Sequence, residues 1–210
     1  MEKKYKLTEE TINVISKTLY RIEALRDFND VKKGDKGGFI EKEDNLSQSD
    51  NCWVYGNAKV YGDAKVYDNA KVSGNAKVYG DAVVHDNAHV YGNAEVCNYA
   101  KVYDNAEVYG IAWVYRNAEV CGNAEVCGDA RICGDAKVES NGDYIVFKNW
   151  WSSGRYFTWT KSNDMWKVGC FYGTGKELID KAYRDSEISG REYERIVKYV
   201  ETVNNDLEIM

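Results

Sequence analysis

"GNAKVYGDAKVYDNAKV", Gly56 to Val72, is one six-residue phrase repeated almost unchanged. The phrase extends in both directions. From Val54 the chain divides into fourteen hexads without a gap, with valine at the first position through Val126 and then Ile132. Alanine fills the fifth position every time, from Ala58 to Ala136, and Gly-Asn, Gly-Asp or Asp-Asn fill most third and fourth positions. A helix, at about 100° per residue, would turn each valine about 240° from the last and leave no apolar stripe. A strand can use the phrase, because in Ala-Lys-Val-Tyr the alanine and valine share one side and the lysine and tyrosine the other. Gly, Asn and Asp then supply a bend where positive φ costs little. Each hexad is therefore a short strand and a corner, and only coil-on-coil stacking buries its Val/Ala side.

The phrase Val-x-x-x-Ala-x resembles the hexapeptide repeat of left-handed parallel β-helices. That resemblance implies a triangular solenoid with three hexads per turn. Fourteen hexads then make about 4.7 regular coils, a rod roughly 22 Å long at ~4.8 Å between paired strands. The chain departs from the family by placing tyrosine after the aliphatic residue in eight hexads, where a small or acidic residue is usual. Over its whole length it also resembles hexapeptide-repeat proteins encoded by bacteriophages and prophages. The likeness lies in "KGGFIEKEDNLS" (Lys36–Ser47), the hexad run, and "RYFTWTKSNDMWKVGCFYGTGKELI" (Arg155–Ile179). It implies a host-cell setting, a host protein as partner, and interference with host defence or physiology as the expected role.

Three regions follow. Residues 1–45 read as an N-terminal β-hairpin cap, 46–138 as the β-helix with an irregular first coil, and 139–210 as a small α+β domain of strands and two helices. Both helices carry the Ser/Thr-x-x-Glu spacing of a capping box, at Thr174–Glu177 and Ser189–Glu192. The net charge is −6, with no basic segment of the kind that holds duplex DNA. No apolar run is long enough to span a membrane and "MEKKYKLTEE" lacks the apolar stretch of a secretory signal, so a cytoplasmic protein is expected.

Enzymes are common among hexapeptide β-helices, many of them trimeric acyltransferases with a histidine base. This chain has only His85 and His89, on outward positions around one corner with no protruding loop to make a pocket. Acyl transfer is therefore the third reading, and no cofactor is expected. Cys97, Cys121, Cys127 and Cys133 point outward, and none is one coil from another, so neither disulfides nor a zinc cluster is expected. "GTGK" (Gly173–Lys176) fails as a phosphate loop, since Glu177 stands where Ser or Thr would hold magnesium.

Two surfaces remain as candidates. At one coil per three hexads, Tyr91 stacks on Tyr109, Tyr61 on Tyr79, and Tyr67 lies two coils below Tyr103, a tyrosine-rich surface for a protein partner. In residues 144–176, ten of 33 side chains are aromatic and five are basic against the single acid Asp164. Trp150, Trp151, Arg155, Tyr156, Trp159, Lys161, Trp166 and Lys167 there are candidates for binding a partner or a nucleotide-like small molecule, by stacking and cation–π contact. The leading expectation is a non-catalytic binding protein, with a homodimer or homotrimer as its candidate assembly.

Overall fold

The structure, a computed structural model, describes residues 3–150 and 152–209. The chain forms two compact units, Met1–Asn141 and Gly142–Met210.

The first unit is a β-solenoid with three faces. Face A carries Lys59–Gly62, Lys77–Gly80, Glu95–Asn98, Trp113–Val114 and Arg131–Ile132. Face B carries Trp53–Val54, Lys71–Val72, His89–Val90, Glu107–Val108 and Glu125–Val126. Face C carries Lys65–Val66, Val83–Val84, Lys101–Val102, Glu119–Val120 and Lys137–Val138. Neighbours pair parallel and in register, Val60 with Val78 and Lys77 with Glu95, so that paired side chains are 18 residues apart. The hexad valines and alanines, Val54 to Val138, are fully buried in the interior. This is the β-helix that the hexad predicts.

The corners explain the third and fourth letters. Gly56, Gly74, Gly92, Gly110 and Gly128 all take positive φ at the corner from face B to face A. After face C the same conformation is held by Asp68, Asp86 and Asp104, at φ near 55–58°, where an L-residue is disfavoured. Their carboxylates compensate: Asp50, Asp68, Asp86 and Asp104 each accept from the backbone N–H of the corner one coil on, at 3.0–3.4 Å. Beside them the amides of Asn51, Asn69, Asn87, Asn105 and Asn123 form a continuous ladder at 3.1–3.2 Å.

The stack starts ahead of residue 46. Lys36–Ile40 pairs parallel with Lys59 and Val60 on face A, and Leu46 bridges Val66 on face C. Gly37 and Gly38 permit this close docking: a Cβ on Gly38 would sit 2.6 Å from the carbonyl oxygen of Ala58. The hairpin of Tyr5–Val14 and Lys17–Ala24 then extends face A antiparallel through Lys36–Ile40. Lys4, at its start, is fully buried. Its Nζ donates to the carbonyls of Asp50 (2.8 Å) and Cys52 (2.9 Å) and lies 5.2 Å from the Phe28 ring centre. Burial pulls the Lys4 ammonium below its usual range.

The second unit is an antiparallel sheet in the order Tyr144–Lys148, Tyr156–Thr160, Met165–Val168, Phe171–Gly173, followed by α1 (Gly175–Asp185) and α2 (Glu187–Ile209). Phe157, Trp159, Trp166 and Val168 from the sheet pack with Leu178, Ala182, Tyr193, Val197 and Val200 from the helices. The first capping box forms as expected, Thr174 accepting from the Glu177 N–H while Glu177 accepts from the Thr174 N–H. The second does not. Helix α2 already begins at Glu187, with Ser186 Oγ accepting from the Ser189 N–H, so Ser189–Glu192 lies inside the helix. No described helix is long and apolar enough to cross a membrane.

Candidate recognition surfaces

The tyrosine columns stack where the 18-residue spacing puts them. Ring centres are 5.0 Å apart for Tyr61–Tyr79 and 4.8 Å for Tyr91–Tyr109, with nearly parallel planes. Between Tyr67 and Tyr103 lies His85, 4.9 and 5.2 Å from its neighbours. The bottom of face A is already covered, because Tyr61 packs with Leu19 and Phe39, and Ile12, Val14 and Tyr79 close over them. Most ladder hydroxyls are also engaged. Tyr79, Tyr91, Tyr103 and Tyr109 donate to Glu95, Glu107, Glu119 and Glu125 at 2.9–3.1 Å.

A four-residue cluster recurs that single-hexad reading misses. Glu95 takes Lys77 Nζ on one carboxylate oxygen (2.8 Å) and Tyr79 on the other (3.1 Å), with Cys97 directly above Tyr79 in the ladder. Glu119 repeats this with Lys101 (2.8 Å) and Tyr103 (3.1 Å), beneath Cys121. The lysine donates to one Glu119 oxygen, and this bond above all holds that carboxyl below its usual range. Burial first raises the Cys97 and Cys121 thiols, so they are protonated packing groups at neutral pH. None of the six cysteines is in a disulfide.

Neither histidine stands in a closed site. His85 Nδ1 lies 3.0 Å from Asp86 Oδ2 between two tyrosine rings. His89 Nε2 is 2.9 Å from Ser73 Oγ on the outside of face B, and burial lowers its pKa. A serine beside a neutral imidazole has nucleophile–base geometry. Here, however, the carboxylate one coil on, Glu107, receives the Tyr91 hydroxyl, and the pair lies on the outer wall of the rod.

In the second unit the aromatic run divides. Trp159 and Trp166 belong to the core, and Trp159 Nε1 donates to Asp164 at 2.8 Å. Trp159 and Trp166, both candidate binding residues by sequence, are therefore withdrawn from the surface: α1 and α2 cover that side of the sheet. Trp150 is 72 % exposed. Lys148 Nζ lies 4.2 Å from its ring and 5.1 Å from that of Tyr156, a cation between two aromatic faces. Arg155 and Lys161 are exposed and Lys167 is half-buried. Trp151 lies outside the described residues. A groove of about 750 Å³ opens in the same unit, lined by Ile145, Phe147, Glu192, Arg195, Ile196 and Tyr199, the last 66 % exposed. Nothing in the sequence singles out Ile196 or Tyr199 as a binding residue.

Comparison with known proteins adds one match. The model of the YdcK β-solenoid repeat matches residues 70–86, a single coil's length that runs through faces B, A and C in turn and the corners between them. No curated protein matches the chain. The matched residues and the stacked parallel coils identify a β-solenoid repeat protein.

Proposed function

We propose that this is a non-catalytic binding protein whose second unit captures a host protein while the solenoid serves as a rigid support. The apolar groove between the edge strand Tyr144–Lys148 and α2 carries this reading. It offers Phe147, Ile196 and Tyr199 to an apolar segment, beside the ion pair of Arg195 with Glu192 at 2.7 Å. An open groove of that composition is a place for a partner helix or strand. The phage-like texture of the sequence makes a host protein the expected partner, with interference in host defence or physiology as its consequence.

A second reading rests on Lys148 between Trp150 and Tyr156: a planar base would stack on the rings while the ammonium meets its phosphate. One set of variants separates the two. Capture of a bacterial protein by the full-length chain is expected to be lost in Ile196→Glu with Tyr199→Ala and retained in Trp150→Ala with Tyr156→Ala. Thermal stabilisation by a nucleotide panel, abolished only by the Trp150/Tyr156 pair, would instead select the second reading. Capture that survives the groove variant would refute the first.

A further inference from the structure

The aromatic column on face C has an open end. Tyr67, His85 and Tyr103 stack with ring centres 4.9 and 5.2 Å apart and nearly parallel planes. One coil earlier the same place is held by Ser47. Its backbone N–H donates to the Val66 carbonyl at 2.9 Å, as the N–H of Tyr67 donates to that of Val84. Leu46 bridges Val66 accordingly, so the irregular first coil sets a serine where the column would need its next ring. The Ser47 hydroxyl is drawn aside to the corner, donating to Asp50 at 2.6 Å. Below Tyr67 a recess of about 450 Å³ opens, lined by Asp44, Ser47, Lys65, Val66 and Tyr67. That volume lies in the ~300–1,000 Å³ range of small-molecule sites.

The recess has one acid and one base to offer. Asp44 and Lys65 are exposed, and neither side chain has an ion-pair or hydrogen-bond partner among the described residues. The charges around them are already matched, Asp63 with Lys42 at 2.6 Å and Glu43 with Lys3 at 2.7 Å. Asp50 is held by Ser47 and Ser49. No surplus of positive charge remains to hold a phosphate. An aromatic plane flanked by a single acceptor and a single donor suits an uncharged heterocycle whose own donors lie next to an acceptor. Guanine has that edge: N1–H and N2–H₂ side by side, with O6 adjacent. Adenine and cytosine set a ring acceptor beside their amino group, which a carboxylate repels. Uracil has a single N–H between two carbonyl oxygens.

We propose that this recess binds guanine as the free base or the nucleoside. The ring continues the column beneath Tyr67, Asp44 accepts from N1–H and N2–H₂, and Lys65 donates to O6. The site belongs to the solenoid, which thereby does more than support the second unit. It is independent of the groove and of the Lys148 sandwich.

The test is calorimetric titration of the full-length chain with guanosine up to its solubility limit. Wild type is expected to show saturable binding at one site, with adenosine and cytidine at least ~tenfold weaker. Asp44→Ala and Lys65→Ala, at exposed positions, should each weaken guanosine binding about tenfold or more with the melting temperature of the fold unchanged. Tyr67→Ala, which removes the stacking plane, should weaken it about tenfold as well. Trp150→Ala with Tyr156→Ala should bind guanosine as wild type does. Absence of saturable binding, equal affinity for adenosine, or binding indifferent to Asp44→Ala would overturn the proposal. So would binding lost in the Trp150/Tyr156 variant, which would place the nucleoside in the second unit.

Discussion

Val102→Asp is expected to unfold the solenoid, whereas Lys101→Asp, one residue earlier, should leave it folded. Val102 is fully buried in the interior, in register with Val84 and Val120. A carboxylate there has only aliphatic side chains around it, since the hexad places valine, alanine and, once, isoleucine on the inside. An uncompensated buried charge costs several kcal/mol, a large part of the ~5–15 kcal/mol that keeps an ordinary domain folded. Each coil is held by its two neighbours, so the loss is not confined to one face. Lys101 points outward, and its replacement loses the 2.8 Å contact with Glu119 and sets two carboxylates side by side. Exposed pairs of that kind are worth about 1 kcal/mol or less. Thermal melting followed by circular dichroism should show one variant without a transition and the other within a few degrees of wild type.

The second large effect is alkaline. Burial first, then the Glu95 carboxylate, pushes the phenol of Tyr61 up to about 12, and burial with the Glu107 hydrogen bond does the same for Tyr91. Tyr79, Tyr103, Tyr109 and Tyr115 are raised further. In the unfolded chain these groups ionise near 10. Between pH 10 and 12 the folded state therefore keeps protons that the unfolded state has released, and stability falls as pH rises through that window. The ladders act together, because releasing one ring from the stack exposes the next. Phenolate absorbance and loss of the β-sheet signal are expected to rise in a single cooperative transition above pH 10. Tyrosines that titrate independently near pH 10 in an intact fold would contradict this account of the ladders.

The solenoid is legible in sequence because every interior and corner letter serves backbone geometry, and that geometry repeats. What escaped reading depends on elements brought together from a distance. Lys4 reads as an ordinary charged residue before a hairpin strand, since its acceptors Asp50 and Cys52 come from the first coil. The Lys-Tyr-Glu-Cys clusters are visible only when the sequence is read at offsets of 16 and 18 residues. Period-two alternation places Trp159 on one face of its strand. It cannot say that α1 and α2 will cover that face, because the covering stripe of Leu178, Ala182, Tyr193 and Val197 lies downstream on two separate helices. In the same way, Ser189–Glu192 carries the letters of a helix start, and Ser186 takes the cap because α1 ends there.

The eighteen-residue coil is the claim on which the ladders and the corners both depend. A pair of engineered cysteines at Asn69 and Asn87 tests it most directly. Their side-chain amides are 3.1 Å apart in successive coils of one corner, and paired strands ~4.8 Å apart fall within the ~4.4–6.8 Å Cα separation that a disulfide spans. Mild oxidation of Asn69→Cys with Asn87→Cys should form this crosslink in nearly every folded chain, seen by peptide mass mapping, while Asn69→Cys with Asn75→Cys, on different corners, should form none. A crosslink between 69 and 75, or none between 69 and 87, would contradict the coil.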